Sequence, residues 1–519
     1  MSRAFDSIVV GGGSNGLVAA TVLARGGSKV LLVEASAELG GVFREIEFAP
    51  GFRAAPLAAD AGYVAPELLR AIGLGSMPAQ IAVSASVVGL GGDAPVTLSR
   101  DVPRTADALR RLSQRDAERW PAFCAHVSQI TGFLAELYHR PPPRIDASGL
   151  GEFLSLAGLG LKFRKLGKAG MIELMRTLPM PAADWLDDWL ESERLKGLLA
   201  ALAVADVGQG PMSGGTAFTF LHRHVGAASG AFGDRVRLEG GPMALIGALA
   251  TQARAAGVSI ETGTPVEKLI VRDDRVVGAR LGSGEEIACR EVVSSLGPHR
   301  TLFGLLDPVH LDPEFMQAVQ NIRYRGVATK VLLALDGLPQ LPGADAAGAA
   351  STFVIAPSIR YVECAYDAIK YRRCSEDPIV ELRFPSAAQG GLAPSGKHVA
   401  VLHVQFSPYG ASESIADRAI ALVESHLPGF ASRIIGRAAF APSDLEAKFG
   451  LREGAVSQGE MMLDQILFMR PVAGASRYAM PVPGLYLCGA STHPGGGATG
   501  LSGLLAARAV MAGGSRPRD

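Results

Sequence analysis

The chain has 519 residues, a length that predicts about three domain-sized units. Lysine plus arginine and aspartate plus glutamate each total 50, so the net charge is zero and a nucleic-acid partner is disfavoured. A hydrophobic share of 48% with 19% charged residues excludes a disordered or fibrous chain.

The sequence carries no pattern that predicts disulfide chemistry, secretion or a membrane span. The five cysteines form no CxxC or CxxxxC pair, which fits a reducing compartment. A glycine motif that starts at Gly11 leaves no room for a secretion signal. The longest apolar stretch, residues 195–207, is shorter than the ~18–20 residues that cross a bilayer. We therefore expect a cytoplasmic protein, and no metal site is predicted.

The first predicted elements form a βαβ unit. Residues 7–10 and 29–33 read as strands on either side of a helix, and the turn between strand and helix carries G-x-G-x-x-G at Gly11, Gly13 and Gly16. These glycines permit the tight turn, the approach of a pyrophosphate and close helix–strand packing. Glu34, 18 residues after the last glycine, is placed to accept hydrogen bonds from a ribose. The unit predicts dinucleotide binding, and Glu34 argues against NADP, which leaves FAD or NAD.

The residues that follow favour FAD over NAD. Gly40 and Gly41 allow a further loop to lie against the cofactor, as in FAD enzymes. Gly89 to Ala94 lies between two short strands and predicts a hairpin turn rather than a second nucleotide motif. A dedicated NAD(P)H domain is therefore not expected.

The middle of the chain predicts helices and then a second sheet. Residues 105–228 have a mostly helical pattern, interrupted by Pro141–Pro143, with Trp185, Trp189 and Leu190 on one apolar face. Strand patterns return at residues 258–262, 266–271, 275–281 and 291–295, where the nucleotide domain resumes. Residues 301–471 then alternate strands at 330–335, 379–384 and 398–406 with a helix at 415–426, which predicts a substrate-binding sheet.

The C-terminal segment combines a strand, a glycine-rich loop and a helix. Residues 485–488 predict a buried strand, and residues 489–503 contain six glycines before a helix expected at Leu504–Val510. Such a loop could be a surface loop before a terminal helix. Because so many glycines between a strand and an apolar helix indicate close backbone approach, we interpret it as a second cofactor contact.

These residues resemble the phytoene desaturase-like family of FAD-dependent oxidoreductases, in particular the branch called pyridine nucleotide-disulfide oxidoreductase domain-containing protein 2-like. The resemblance covers nearly the whole chain and is most specific at residues 11–41 and 486–500. Softer matches lie at residues 183–197, 220–225, 239–245 and 463–471. Despite the name of the branch, the chain has no close cysteine pair for a redox disulfide.

The resemblance implies an α/β fold with a discontinuous Rossmann-like FAD-binding domain of the p-hydroxybenzoate hydroxylase type and an interleaved mixed α+β substrate domain. It places the FAD domain at residues 1–75, 235–300 and 475–519, and the substrate domain at 76–234 and 301–474 with a helical insertion at about 105–228. The cofactor is expected to be FAD, bound without a covalent link. The residues assigned to it are Gly11, Gly13, Ser14, Asn15, Gly16, Glu34, Ala35, Gly40, Gly41, Val42, Val266, Gly489, Ala490, Thr499, Gly500 and Leu501.

The function expected from the resemblance is removal of a hydride from a C–H or C–N bond of a largely apolar small molecule, for example by isoprenoid desaturation. Oxygen or a quinone is the expected electron acceptor. Two alternatives stay open: an amine or amino-acid oxidase on the same fold, and a flavin-bearing binding or scaffold protein without turnover. A flavin carries the redox chemistry in such proteins, while side chains orient and polarise the substrate.

Outside the cofactor motifs, the sequence gives less specific evidence for the roles of single side chains. His222, His224 and His493 are the candidate acid–base residues, although each also fits a buried core histidine. Asp464 and Arg470 are expected to form a structural pair rather than substrate clamps.

A possible membrane contact is indicated by residues 150–178, where apolar and basic residues alternate. The residues that carry this pattern are Phe153, Leu154, Leu161, Lys162, Phe163, Arg164, Lys165, Leu166 and Lys168. A helix pair that covers the substrate cavity is the alternative interpretation.

Overall fold

The computed structural model describes residues 3–58, 60–81, 87–92, 94–143, 157–158, 160–161, 163–232, 237–342, 348–410 and 414–513. The strands are β1 (Ser7–Val10), β2 (Val30–Val33), β3 (Ile46–Ala49), β4 (Phe52–Ala54), β5 (Val87–Leu90), β6 (Val96–Leu98), β7 (Ser259–Glu261), β8 (Val266–Arg272), β9 (Arg275–Leu281), β10 (Glu286–Ala288), β11 (Glu291–Ser294), β12 (Ala328–Leu335), β13 (Thr352–Ile355), β14 (Ile379–Arg383), β15 (His398–Gln405), β16 (Ile434–Phe440) and β17 (Leu485–Leu487).

The helices are α1 (Ser14–Arg25), α2 (Pro66–Ile72), α3 (Val102–Leu109), α4 (Gln114–Tyr138), α5 (Gly167–Thr177), α6 (Ala182–Trp189), α7 (Glu193–Val204), α8 (Thr216–Arg223), α9 (Pro242–Ala255), α10 (Pro313–Gln320), α11 (Ile359–Lys370), α12 (Ser414–His426), α13 (Pro442–Phe449) and α14 (Leu501–Met511).

A parallel five-stranded sheet holds the glycine turn. Its strand order is β17-β11-β1-β2-β7, and every neighbouring pair is parallel. The strands are apolar on both faces because both are covered: α1 packs against α9 and α14 on one side, and the antiparallel sheet β10-β9-β8 shares a core with Ile8 and Val10 on the other. The predicted α/β class with a Rossmann-like unit is confirmed.

A seven-stranded mixed sheet forms the second layer, in the order β16-β12-β15-β14-β13-β5-β6. One face is apolar and packs on α12, with Val331, Leu402 and Val423 in the same core. The residues that alternate with them on β12, β14 and β15 include the polar Lys330, Glu381 and His403. Because side chains in a strand alternate between faces, these polar residues share the face away from α12.

Helices α3 to α8 lie between β6 and α9 in the chain and surround a buried aromatic cluster. Phe123 lies 5.2 Å from Trp185 and 5.8 Å from Phe232 between ring centroids. The buried Asp116 carboxylate accepts hydrogen bonds from the backbone N–H of Glu191 at 2.7 Å and of Ser192 at 2.9 Å, which fixes α4 against the start of α7. The helical pattern predicted for this region is present in its described part.

Most predicted elements appear with shifts of a few residues at their ends. The hairpin predicted around Gly89 is formed by β5 and β6, which pair antiparallel. The last helix begins at Leu501, three residues earlier than expected, because Gly500 adopts the left-handed conformation that ends the loop. All five strands of the parallel sheet lie within the segments assigned to the FAD domain, while the domain boundaries themselves stay a prediction.

The segment expected at a membrane is described only in part. Residues 150–156, 159 and 162 lie outside the described residues, and these include Phe153, Leu154 and Lys162. Leu161, Arg164, Lys165 and Lys168 are exposed, whereas Phe163 and Leu166 pack against the helical core. Among the described helices, none has the length and apolar character to cross a bilayer. Peripheral membrane contact stays a prediction.

Candidate functional site

A cavity of about 960 Å³ is lined by residues of both large sheets. The lining includes Gly11 and Glu34 from the parallel sheet and Lys330, Glu381 and His403 from the seven-stranded sheet. The glycine turn and the polar residues of the seven-stranded sheet therefore line one cavity.

Each of the three motif glycines in the turn is required for a different reason. Gly11 has φ 99°, a conformation that residues with a side chain rarely adopt. A Cβ on Gly16 would collide with the carbonyl oxygen of Gly11, so close packing of turn and helix requires glycine there. A Cβ on Gly13 would meet only the backbone of Gly41, at 3.6 Å, and Gly13 lines the cavity. Its small size is therefore not needed for packing within the chain, which points to a ligand.

Helix α1 begins at the cavity without a side chain to cap it. Gly13 is its N-cap residue and makes no side-chain hydrogen bond, so the first backbone N–H groups remain for an anion. Ser14 and Asn15 line the cavity, and the buried Oδ1 of Asn15 has no hydrogen-bond partner among the described residues. Free N–H groups at the start of a helix that lines the cavity fit the pyrophosphate of a bound dinucleotide.

Glu34 lines the cavity at the end of β2 and is already part of the turn. Its Oε2 accepts a hydrogen bond from the Gly12 N–H at 2.7 Å, and its Oε1 accepts one from the Ser36 N–H at 2.8 Å. Each carboxylate oxygen can accept a second bond, so a ribose hydroxyl remains compatible. Ala35 and Val266 lie in the same wall.

The second glycine pair and its neighbours line the adjoining wall. Gly41 and Val42 line the cavity, whereas Gly40, with φ 137°, supports the turn from outside the lining. Arg44, two residues after Val42, also lines the cavity and donates a hydrogen bond to Ser36 Oγ.

The C-terminal loop closes the cavity from the opposite side. Ala490, Gly495–Gly497 and Thr499 line it. Thr499 donates from Oγ1 to the Ala61 carbonyl at 2.6 Å, which ties the loop to the segment before α2. Gly489, Gly500 and Leu501 are not among the lining residues.

A row of polar side chains crosses the far wall. Lys330 on β12 pairs in register with His403 on β15, and His403 pairs with Glu381 on β14. Lys330 Nζ donates to His403 Nδ1 and, at 3.3 Å, to Oδ1 of Asp206. We call Lys330, His403 and Glu381 the polar row. Its members are buried or nearly so, and they all line the cavity.

The hydrogen bonds of the polar row continue into the protein. His403 Nε2 donates to Gln405 Oε1 at 3.0 Å, and Gln405 Nε2 donates to the Val204 carbonyl at 2.6 Å. Burial lowers the pKa of His403 to about 4, and the charge of Lys330 adds to this effect, so the imidazole is neutral at pH 7. Burial also lowers the pKa of Lys330.

Both carboxylates at this end of the cavity are paired with cations. Although burial acts to raise the pKa of Asp206, the charges of Lys330 and Arg223 together lower it. Glu381 accepts a hydrogen bond from Arg383 at 3.0 Å and lies 3.8 Å from Arg223. Burial opposes ionisation of Glu381, but Arg223 and Arg383 lower its pKa. The carboxylates are therefore ionised and neutralised by their partners.

The three candidate histidines occupy different positions. His222 lines the cavity; its Nε2 donates to the Gly496 carbonyl at 2.8 Å, and its Nδ1 accepts from the Tyr138 hydroxyl at 2.6 Å. His224 donates to the Phe220 carbonyl, and His493 donates to the Leu137 carbonyl. His224 and His493 are buried and do not belong to the cavity lining. Acid–base roles for these residues stay a prediction.

The expected pair of Asp464 with Arg470 is wrong. Asp464 accepts two hydrogen bonds from Arg323, at 2.6 and 2.7 Å, and its side chain is 61% exposed. Arg470 is 2% exposed and donates only to backbone carbonyls among the described residues. The two side chains do not pair because one lies at the surface and the other in the core.

The polar row was missed in the sequence, although a signal was present. Lys330, Glu381 and His403 each stand in a strand that is otherwise largely apolar. An ionisable residue in such a strand is costly to bury, so it indicates a site rather than packing.

Comparisons with known proteins agree with this geometry. The family described as flavin containing amine oxidoreductase matches residues 215–511, and the NAD(P)-binding Rossmann-like domain matches residues 9–61. The rat protein named pyridine nucleotide-disulfide oxidoreductase domain-containing protein 2 is 31% identical over 98% of this chain and 93% of its own length. A lycopene-forming phytoene desaturase of Pseudescherichia vulneris is 25% identical over 66% of this chain and 68% of its own. The resemblance inferred from the sequence is confirmed.

A solved structure shows the same fold at lower identity. A triple mutant of putrescine oxidase, from a redesign of cofactor binding, superimposes with a TM-score of 0.60 at 14% identity, covering 99% of this chain and 100% of that one.

All five cysteines of the present chain are free thiols, so the disulfide in the name of the rat relative has no counterpart here.

Proposed function

Because this chain belongs to the flavin containing amine oxidoreductase family and is an FAD-dependent oxidoreductase, we propose that it removes a hydride from a C–H bond of a small molecule bound against the polar row. FAD supplies the hydride acceptor when bound. The observation that carries the proposal is the single cavity that joins the glycine turn to Lys330, Glu381 and His403.

The residues that would hold FAD are those that line the first part of the cavity. The N–H groups at the start of α1, next to Gly13, suit the pyrophosphate. Glu34 suits the adenosine ribose, and the backbone of Ala490 and Thr499 suits the flavin end. The positive end of α14 lies beside this loop and adds stabilisation for negative charge.

The polar row bears on the substrate class. A wholly apolar ligand against Lys330, Glu381 and His403 would leave their polar groups without solvent or a hydrogen-bond partner on the cavity side, which is unfavourable. The cavity also has apolar lining, including Val207 and Met461. We therefore propose a substrate with an apolar body and one polar group, and the polar group meets the row.

Lys330 is the residue best placed to receive that polar group. An ammonium has three N–H donors, and two of them go to Asp206 and His403. Among the described residues no partner takes the third, and Lys330 lines the cavity. Its lowered pKa makes Nζ a better site for proton exchange than an exposed lysine.

An amine substrate fits this arrangement less well. An unpaired carboxylate would favour a cationic amine, whereas Asp206 pairs with Lys330 at 3.3 Å and Glu381 pairs with Arg383 at 3.0 Å. Oxidation of a C–H bond in a molecule with a neutral polar group is therefore better supported.

The test is anaerobic reduction of the holoenzyme by three compounds that share one skeleton: farnesene, farnesol and farnesylamine. Loss of the visible flavin absorbance is followed in a stopped-flow instrument. We expect farnesol to reduce the flavin fastest, and Lys330→Met to lose that preference. Lys370→Met, which removes an exposed lysine on α11 paired with Asp367, is the control. Fastest reduction by the hydrocarbon or the amine would contradict the proposed substrate class, and no reduction by any compound would favour a flavoprotein without turnover.

The proposed electron acceptor is oxygen or a quinone. Reduced holoenzyme is mixed with air-saturated buffer or with a soluble quinone, and the return of flavin absorbance is timed. Recovery with either one supports the proposal. Recovery with neither contradicts it.

A further inference from the structure

Arg470 is a buried cation with no counter-ion in the part of the chain that the structure describes. Its side chain is 2% exposed, and no carboxylate of the described residues lies within ion-pair distance of its guanidinium. Burial lowers the pKa of Arg470 to about 10, so the group is still charged at neutral pH. A buried charge without a partner is costly, and a structure that keeps one has an electrostatic use for it or needs its hydrogen bonds.

The guanidinium joins two segments through carbonyl oxygens. Nε and Nη2 donate to the Ala490 carbonyl at 3.1 and 2.7 Å, and Nη2 also donates to the Ser457 carbonyl at 2.6 Å. Nη1 donates to the carbonyls of Glu460 at 3.3 Å and Gln465 at 3.2 Å. Arg470 therefore fixes the C-terminal loop to residues 457–465.

The segments that it joins form part of the cavity wall. Ala490, Ser457 and Gln458 all line the cavity. Gln458 strengthens the same junction, because its Oε1 accepts from the Ser491 N–H at 3.3 Å and its Nε2 donates to the Ser295 carbonyl at 3.1 Å. Ala490 and Ser457 therefore accept hydrogen bonds from the guanidinium and also line the cavity.

We propose that Arg470 is a positioning residue for FAD: it fixes Ala490 and the loop around it, and its uncompensated charge raises the reduction potential of the bound flavin. Reduction brings negative charge into the cavity. A fixed cation in a water-poor environment stabilises that charge without reorganisation. The backbone carbonyls that hold Arg470 orient the guanidinium but do not neutralise its full charge.

The test compares Arg470→Gln, which removes the charge, with Arg470→Lys, which keeps it. Reduction potentials of the FAD-loaded proteins are measured by equilibration with redox dyes at pH 7. Arg508→Gln is the control, because it makes the same change in net charge but removes a half-exposed arginine paired with Glu67.

We expect both Arg470 variants to bind FAD more weakly than the wild type, since both lose hydrogen bonds to the loop. Only Arg470→Gln should lower the potential, by a tenfold change in the reduction equilibrium, which is about 30 mV for a two-electron couple. A wild-type potential in Arg470→Gln, or an equal drop in Arg470→Lys or Arg508→Gln, would overturn the proposal.

Arg470→Lys alone decides the question if Arg470→Gln does not retain FAD. A buried lysine without a carboxylate loses its proton more readily than an exposed one. The potential of this variant should therefore fall progressively below the wild-type value as the pH rises from 7 towards 10. A potential that follows the wild type across this range would show that the charge at residue 470 does not act on the flavin.

Discussion

Gly13→Ala should separate cofactor binding from folding. Gly13 has φ −77° and ψ 178°, an extended conformation that alanine adopts without strain. An added Cβ would have Gly41 Cα as its nearest neighbour, at 3.6 Å, which is an ordinary contact. In the chain without FAD, the substitution should therefore be neutral or stabilise by about 0.4–1 kcal/mol, because alanine restricts the unfolded state.

With FAD present, Gly13→Ala should lower the free energy of unfolding instead of leaving it unchanged or raising it. The methyl group would occupy space at the cavity wall where a pyrophosphate approaches the backbone. FAD at 100 times its dissociation constant stabilises the wild type by about 2.7 kcal/mol, and a variant that no longer binds loses this contribution. The net loss should be about 2 kcal/mol after the gain in the free chain is subtracted.

The assay is denaturant unfolding of both proteins with and without FAD, together with a titration of FAD binding. Gly75→Ala is the matched control, because its Cβ meets nothing within 4 Å and Gly75 lies outside the cavity lining. Wild-type FAD affinity in Gly13→Ala would refute the assignment of this turn to the cofactor. Strong destabilisation of the FAD-free variant would refute the argument that the chain itself does not need glycine there.

Three further predictions concern the pKa of His403, the acid sensitivity caused by His493 and the release of the flavin. Lys330→Met should raise the pKa of His403 above about 4 in an NMR titration, because burial still lowers that pKa but the charge of Lys330 no longer adds to it; an unchanged value would contradict the contact. Burial lowers the pKa of His493 to about 4, so the unfolded chain takes up a proton there that the folded chain does not. The free energy of unfolding should therefore fall by about 3 kcal/mol from pH 6.5 to pH 4, and equal falls in the wild type and His493→Gln would exclude this cause. Acid precipitation should release the flavin into solution, because Cys488 is fully buried and its pKa is raised by burial; yellow colour in the precipitate would show a covalent link.

The cofactor turn was predictable because its information is local. A short β-branched strand, glycines at 11, 13 and 16 and an acid after the next strand lie within residues 7–34, and the structure forms the βαβ unit from them. The strands at 330–335, 379–384 and 398–406 were also predictable, since each is a short segment rich in apolar residues.

The contacts within the polar row could not be predicted because they depend on register between distant strands. Lys330 and His403 are 73 residues apart and become neighbours only when β12 and β15 pair. The pair predicted between Asp464 and Arg470 is wrong for a related reason. Nearness in sequence does not say which of the two side chains faces the core. Strand register decides which residues of the polar row meet, and burial decides which groups Arg470 contacts. Residue type alone predicts neither.

The most direct test of the account is a crystal structure of the protein with FAD. We expect the pyrophosphate at the start of α1 beside Gly13, and the flavin ring in the same cavity as Lys330 and His403, with no protein segment between the ring and the polar row. FAD bound outside this cavity, or a ring separated from the row by protein, would contradict the claim that cofactor and substrate meet there.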